Sequence, residues 1–175
     1  MFDPADQADA TALLVALRTR KLTLCTAESC TGGLIAGLLT EIAGSSDVFD
    51  RGFVTYSNGA KCDLLGVPAT LIGRYGAVSA EVAVAMASGA LRASTASVSV
   101  AVTGVAGPGG GTAEKPVGLV HVAAKIRGRH PLHTKLELGD IGRSAVRIET
   151  VRVALHLCHQ ALVDTEPGAH SVGGP

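Results

Sequence analysis

The sequence predicts an α/β fold: a single three-layer domain in which a mixed, mostly parallel sheet carries helices on both faces. Three observations point there. Short apolar runs alternate with longer stretches of helical periodicity through the first part of the chain, the pattern left by parallel strands joined through helices. Two adjacent runs near the end, "GLVHVAAKIRG" and "HPLHTKLEL", read as an antiparallel hairpin turning near Gly128. The 175 residues also fit one core, since chains divide only beyond roughly 100–200 residues per domain. No internal repeat or linker interrupts them.

Asp3 followed by Pro4 reads as an N-cap and first helical residue, opening a helix to about Arg20 with an apolar face from Ala12, Leu13, Val15, Ala16 and Leu17. "LTLCT" is a short buried strand, and "GGLIAGLLTEIAG" a helix stopped by Gly44. "GFVTYS" makes the second strand, and "NGAKCDLLG" a turn or two of helix closed by Gly66. "PATLIGRYG" is a short connecting helix, after which Ser79 caps "AEVAVAMASGALRAST". "SVSVAVT" alternates from Ser97 to Thr103 as a strand does, and "RSAVRIETVRVALHLCHQAL", from Arg143, is the last amphipathic helix. The domain is thus expected over residues 1–165, with the aperiodic, Gly/Pro-rich 166–175 disordered.

Composition narrows the partners. Fifteen Lys and Arg balance fifteen Asp and Glu without a basic run, aromatic residues make up 3%, and Trp is absent. Both the electrostatic track and the stacking platform of a nucleic-acid binder are missing. No apolar run approaches the ~18 residues that cross a bilayer. "MFDPADQADA" lacks the basic and apolar regions of a secretory signal, so a cytoplasmic protein is expected. Cys25, Cys30, Cys62 and Cys158 form no CxxC pair and read as reduced thiols packed as small hydrophobes.

In open α/β sheets, ligands bind beyond the carboxyl ends of strands. The segments "TAESCTGG", "TYSNGAK" and "TGVAGPGGGTAEKP" all begin where such ends are expected. Ser29, at a strand-to-helix turn, would lie near free N–H groups and the positive end of a helix dipole, a setting for a nucleophile and its oxyanion. Helix capping by Ser29 or Thr31 is the commoner use of such residues, but Gly32-Gly33 exceeds what a cap needs and points to close approach of a ligand or second backbone. Lys61 follows Tyr56 by five residues, so both can reach one cleft. A lysine works as a base only when burial or a cationic neighbour brings its pKa from about 10.4 toward ~7–8; otherwise it is an ordinary solvated cation.

The loop from Gly104 to Gly111 holds five glycines and a proline but matches neither GxxxxGK[ST] nor GxGxxG in its proper context, leaving a phosphate-wrapping loop and a flexible surface loop both open. Lys115 beyond it is a phosphate partner or an exposed charge. His156 and His159 share a helical face and His130 and His133 flank the hairpin, but neither pair has a third ligand at metal spacing. His121, alternating onto one strand face, is a rival base for Ser29.

Taken in order, "TAESCTGG", "GSSDVFDRGFVTYSNGAK", "LLGVP", "YGAVSAEVA" and "AVTGVAGPGGGTAEKPVG" resemble the CinA family's C-terminal domain, the nicotinamide-nucleotide amidase, from about Leu22 to about Leu157. The resemblance implies hydrolysis of the carboxamide of nicotinamide mononucleotide to nicotinic acid mononucleotide and ammonia, without metal or cofactor. It makes Ser29 the nucleophile, completed by Tyr56 and Lys61. It also implies substrate contacts from Glu28, Cys30, Thr31, Gly32, Gly33, Asn58, Thr103, Gly104 and Gly107, with Arg143 or Arg147 supplying charge for the phosphate. The implied partner is a pyridine mononucleotide, neither nucleic acid nor membrane, and the implied assembly a homo-oligomer, a dimer. The chain departs from the family pattern at "GDIGRSAVR", where Ile141-Gly142 reads as an insertion that realigns Arg143 and Arg147. The N-terminal, molybdopterin-binding-like domain of two-domain members has no counterpart among these segments, so the resemblance carries no expectation of the pyrophosphatase activity associated with it. Two alternatives stay open: a non-catalytic nucleotide-binding or regulatory module, and an amidase for another small amide.

Overall fold

A computed structural model describes residues 2–163; the tail expected at 166–175 lies outside them. Among the described residues, five strands form one sheet in the order β2-β1-β3-β4-β5. The elements are α1 (Pro4–Thr19), β1 (Leu24–Glu28), α2 (Leu34–Glu41), a 3-10 turn (Ser45–Asp47), β2 (Phe49–Val54), α3 (Asn58–Leu65), α4 (Ala69–Tyr75), α5 (Ala80–Arg92), β3 (Val98–Gly104), β4 (Leu119–Ile126), β5 (Leu132–Glu137) and α6 (Arg143–Val163). β1 pairs in parallel with β2 and β3, while β4 runs antiparallel to both β3 and β5. Four of the five strands therefore point the same way, the mixed and mostly parallel sheet that the sequence predicts.

Helices cover both faces. α2 and α6 lie on one face with α1 packed against them; α5 lies on the other, with α3 and α4 against it. The side chains of β3 divide accordingly. Val98, Val100 and Val102 enter the core under α1, α2 and α6, whereas Ala101 packs under α5 and Ser99 Oγ donates to the Ala87 carbonyl at 2.8 Å. Strict alternation thus marks a strand buried on both faces, its small residues meeting the closely packed helix. The same closeness explains Gly89 in α5, where a Cβ would stand 2.1 Å from the Leu65 carbonyl oxygen.

Several boundaries move. α1 buries Asp6, Ala10, Leu13, Leu14 and Leu17, while Ala12 and Val15, assigned to the apolar face, are exposed. The buried set follows the i, i+3, i+4, i+7 rule from Ala10, and Ala12 and Val15 fall outside it. β1 starts at Leu24 and continues through Glu28, because polar residues here complete ladders on both sides: Glu28 is in register with Val54 and with Val102. β2 ends at Val54, leaving Thr55 and Tyr56 in the loop beyond it. α2 stops at Glu41, and Gly44, with φ 79°, opens the 3-10 turn instead of ending the helix.

Candidate active site

The chain leaves β1 at Ser29, whose N–H still donates to the Val102 carbonyl of β3 at 3.1 Å. The Gly32 N–H then donates back to the Ser29 carbonyl at 3.0 Å, and Gly32 and Gly33 take φ of 61° and 96°, a left-handed region open chiefly to glycine. This accounts for the paired glycines as turn geometry. Glu28, fully buried, holds the turn from beneath. Its carboxylate accepts from Thr31 Oγ1 at 2.8 Å and from the N–H groups of Gly33, Ile35 and Ala36 at 2.9, 3.1 and 2.9 Å. Those N–H groups are the ones a helix start leaves unpaired. From α6, Arg147 donates through Nε to the Cys30 carbonyl at 3.1 Å and through Nη2 to the Thr31 carbonyl at 2.7 Å. The N–H groups of Cys30 and Thr31 donate to no oxygen among the described residues.

α3 supplies Lys61. Ser57 caps it by accepting from the Ala60 N–H at 3.0 Å, which puts Lys61 in the first turn with its side chain directed back to the strand ends. Lys61 is 1% exposed, and its Nζ donates to Ser29 Oγ at 3.0 Å and to the Thr55 carbonyl at 2.8 Å. Thr55 is held in turn by its N–H, which donates to the Glu28 carbonyl at 2.8 Å. Burial pushes the Lys61 ammonium below its ordinary range. Burial also pushes the Cys30 thiol up to about 11, so beside Ser29 it stays protonated and a poor nucleophile.

Ser29 and Lys61 open on a cavity of about 210 Å³ that Cys30, Tyr56, Asn58, Thr103, Gly104 and Arg143 also line. Tyr56, 61% exposed, does not hydrogen-bond Ser29 or Lys61; its hydroxyl accepts from Arg143 Nη2 at 3.0 Å. Arg143 Nη1 donates to the Gly107 carbonyl at 2.7 Å, which ties the stem of the glycine loop to the start of α6. Thr103 Oγ1 donates to the Ala77 carbonyl at 2.8 Å. At Gly104 a Cβ would meet Val120 Cγ2 at 2.7 Å and the Leu119 carbonyl oxygen at 2.8 Å, so the strand end needs glycine to pack on β4.

Compared with known proteins, residues 6–162 match the family model of the CinA C-terminal domain. The chain belongs to this family. It is 49% identical over 146 residues to the nicotinamide-nucleotide amidohydrolase PncC of Escherichia coli (strain K12), covering 83% of this chain and 87% of that protein. It is 50% identical over 144 residues to a CinA-like protein of Akkermansia muciniphila, covering 82% of this chain but 34% of that longer protein. With a CinA-like protein of Synechococcus the covered share of the relative is 37%, so the chain spans about a third of such relatives. The crystal structure of the competence/damage inducible protein CihA from Agrobacterium tumefaciens superposes with a TM-score of 0.90 at 54% identity, covering 93% of this chain and 98% of that one.

In this CinA domain, not every residue singled out in the sequence reaches the cavity. Ser29, Cys30, Tyr56, Asn58, Lys61, Thr103, Gly104 and Arg143 line it together. Glu28, Thr31, Gly32 and Gly33 do not; they build the turn, and Glu28 has its carboxylate committed to four internal donors. Gly107 enters only through its carbonyl on Arg143, and Arg147 stands behind the turn. His121 is taken elsewhere: its Nδ1 lies 3.0 Å from His133 Nε2, the rings are stacked, and Ser29 has Lys61 as its partner. Lys115 Nζ donates to the Tyr75 carbonyl at 2.5 Å and does not line the cavity. His133, His156 and His159 line a separate cavity of about 500 Å³ beside β5 and α6, and among the described residues no group of three or more His, Cys, Asp or Glu is placed to hold a metal ion. Sequence reasoning missed Ala77, Val78 and Ala106 as lining residues and the Thr55 carbonyl as a lysine partner, since small apolar side chains and backbone oxygens leave no chemical signature in a sequence. Among the described residues no helix is long and apolar enough to cross a membrane.

Proposed function

We propose that this chain is an amidase that converts nicotinamide mononucleotide to nicotinic acid mononucleotide and ammonia, with Ser29 as nucleophile and Lys61 as its base. The observation that carries the reading is the 3.0 Å contact between Ser29 Oγ and the buried Lys61 amine, whose environment disfavours its charge. The name of the PncC relative supplies the substrate. In the proposed course Ser29 Oγ attacks the carboxamide carbon while Lys61 takes the hydroxyl proton. The carbonyl oxygen, now negative, is received by the N–H of Cys30, the residue after the nucleophile and a lining residue of the cavity. As the tetrahedral species collapses, Lys61 returns the proton to the departing nitrogen, ammonia leaves, and a water deprotonated by Lys61 releases the acid and regenerates Ser29.

Tyr56 and Arg143 belong to the substrate side of the same reading. Two of the five guanidinium N–H donors of Arg143 are used by Tyr56 and Gly107, leaving three for a phosphate at the mouth of the cavity. A cytoplasmic homodimer is carried with this reading on the family resemblance, and sedimentation equilibrium tests the dimer.

The test is ammonia release from nicotinamide mononucleotide, nicotinamide riboside and nicotinamide, without added metal, by wild type, Ser29→Ala and Lys61→Ala. The expected result is turnover of the mononucleotide by wild type and a loss of about 10⁴-fold or more in either variant, as in nucleophile–base pairs that act as a unit. A folded wild type that binds the mononucleotide without releasing ammonia would instead establish the non-catalytic module, and preference for another amide would change the substrate while keeping the chemistry.

A further inference from the structure

We infer that Arg147 is a positioning residue of the oxyanion site and not a ligand for the substrate's phosphate. The inference rests on the amidase reading above and on how three consecutive peptide groups are connected. A trans peptide is planar, so its N–H points opposite to its C=O, and fixing one fixes the other; among the described residues, Gly107-Pro108 is the only cis bond. Arg147 Nε holds the Cys30 carbonyl, and the same peptide carries the Thr31 N–H, which is therefore turned away from the guanidinium. Arg147 Nη2 holds the Thr31 carbonyl, and that peptide carries the Gly32 N–H, which donates to the Ser29 carbonyl. The Ser29 carbonyl belongs in turn to the peptide that carries the Cys30 N–H. Two hydrogen bonds from one guanidinium thus orient, directly and through one relay, the two N–H groups that the turn leaves without an oxygen acceptor.

The clamp is two-sided. Glu28 takes the remaining donors of the turn, those of Gly33, Ile35, Ala36 and the Thr31 hydroxyl, while Arg147 takes its carbonyls. A cation on a carbonyl also polarises the peptide and strengthens the N–H at its other end. Lysine could not reproduce this, since its single ammonium lacks the planar fork that meets two carbonyls at once. At Gly32 a Cβ would stand an ordinary 3.5 Å from Arg147 Nη2, so φ 61° and not the guanidinium is what calls for glycine there. Arg143, four residues earlier on α6, makes the contrast: it lines the cavity and Arg147 does not.

The test compares Arg147→Ala and Arg147→Lys with wild type on the mononucleotide and on the riboside, which lacks the phosphate. Expected for Arg147→Ala is a fall in kcat of about 10²-fold on both substrates alike, the scale of losing one oxyanion donor, with KM unchanged and partial rescue by added guanidinium ion. A rise in KM confined to the mononucleotide would make Arg147 a phosphate ligand and overturn the inference; so would an unchanged kcat. If Arg147→Ala does not fold, Arg147→Lys is expected to lose about tenfold on both substrates, and a wild-type rate in it overturns the inference. If wild type hydrolyses neither amide, the substrate reading fails separately, and acylation of Ser29 by p-nitrophenyl acetate becomes the readout. A slower acylation in both variants then supports the positioning role, whereas equal rates, or no acylation of wild type, overturn it.

Discussion

Lys61 is the residue on which pH should act. In the proposed mechanism its amine must be neutral to accept the Ser29 proton, and burial lowers its pKa in the folded protein. kcat/KM is therefore expected to rise with pH through the folded Lys61 value and to level off below the ordinary lysine range near 10.5, as a pH–rate profile would show. The linkage has a definite sign: a lysine whose folded pKa is depressed binds fewer protons folded than unfolded, so stability at this site rises with pH between the two values. Arg143 is expected to act differently. Arg143→Ala should raise KM for the mononucleotide by about 10–100-fold, the worth of a charge-assisted pair, and leave the riboside nearly untouched; steady-state kinetics on the two substrates would show it. Ser29, Lys61 and Arg143, singled out in the sequence, are brought together at one cavity, where the proposed mechanism uses them. Glu28 was expected as a substrate contact only through the family resemblance; its carboxylate instead accepts from four donors of its own turn.

At the scale of elements, the periodic signal located every helix and strand but misplaced their ends. β1 and β2 shifted because ladder register ends a strand, and register is a property of two segments: Leu24 pairs with Phe49 and Glu28 with Val54. The expected strand stopped at Thr26, yet Ala27 and Glu28 continue it and both are fully buried. The glycines of the first turn give the element its test. At Gly33 a Cβ would meet Val54 Cγ2 at an ordinary 3.5 Å, so strain from φ 96° and not a clash decides the outcome. Gly33→Ala is expected to cost about 1–2 kcal/mol, which for a chain of this size lowers Tm by roughly 2–8 °C, and to reduce kcat by displacing the turn. A thermal melt beside an activity assay reads both; an unchanged melt would mean that the turn relaxes without strain.

At the scale of the molecule, the site exists because three loops leave adjacent strands at one level. Glu28 is in register with both Val54 and Val102, so the segments after β1, β2 and β3 emerge side by side. Sequence order indicated that these loops sit at carboxyl ends, but strand order, with β1 between β2 and β3, is set by long-range pairing that no local window contains. α6 then joins the site to the rest of the fold. Its first two turns present Arg143 and Arg147, and five residues after Arg147, Arg152 donates to Asp6 at 2.6 Å and to Asp3 at 2.8 Å, fastening α1. Asp6 is 4% exposed, so Arg152→Ala would strand a buried carboxylate. Fully buried pairs broken in this way cost about 3–5 kcal/mol, and the partial exposure of Arg152 reduces that to about 2 kcal/mol, a fall in Tm of roughly 4–8 °C. Because the contact lies on α1 and not on the turn, kcat well below the melt should equal that of wild type. A fall in kcat at a temperature where Arg152→Ala is fully folded would show that the docking of α1 is transmitted along α6 to Arg147, and that the site and the α1–α6 face behave as one unit.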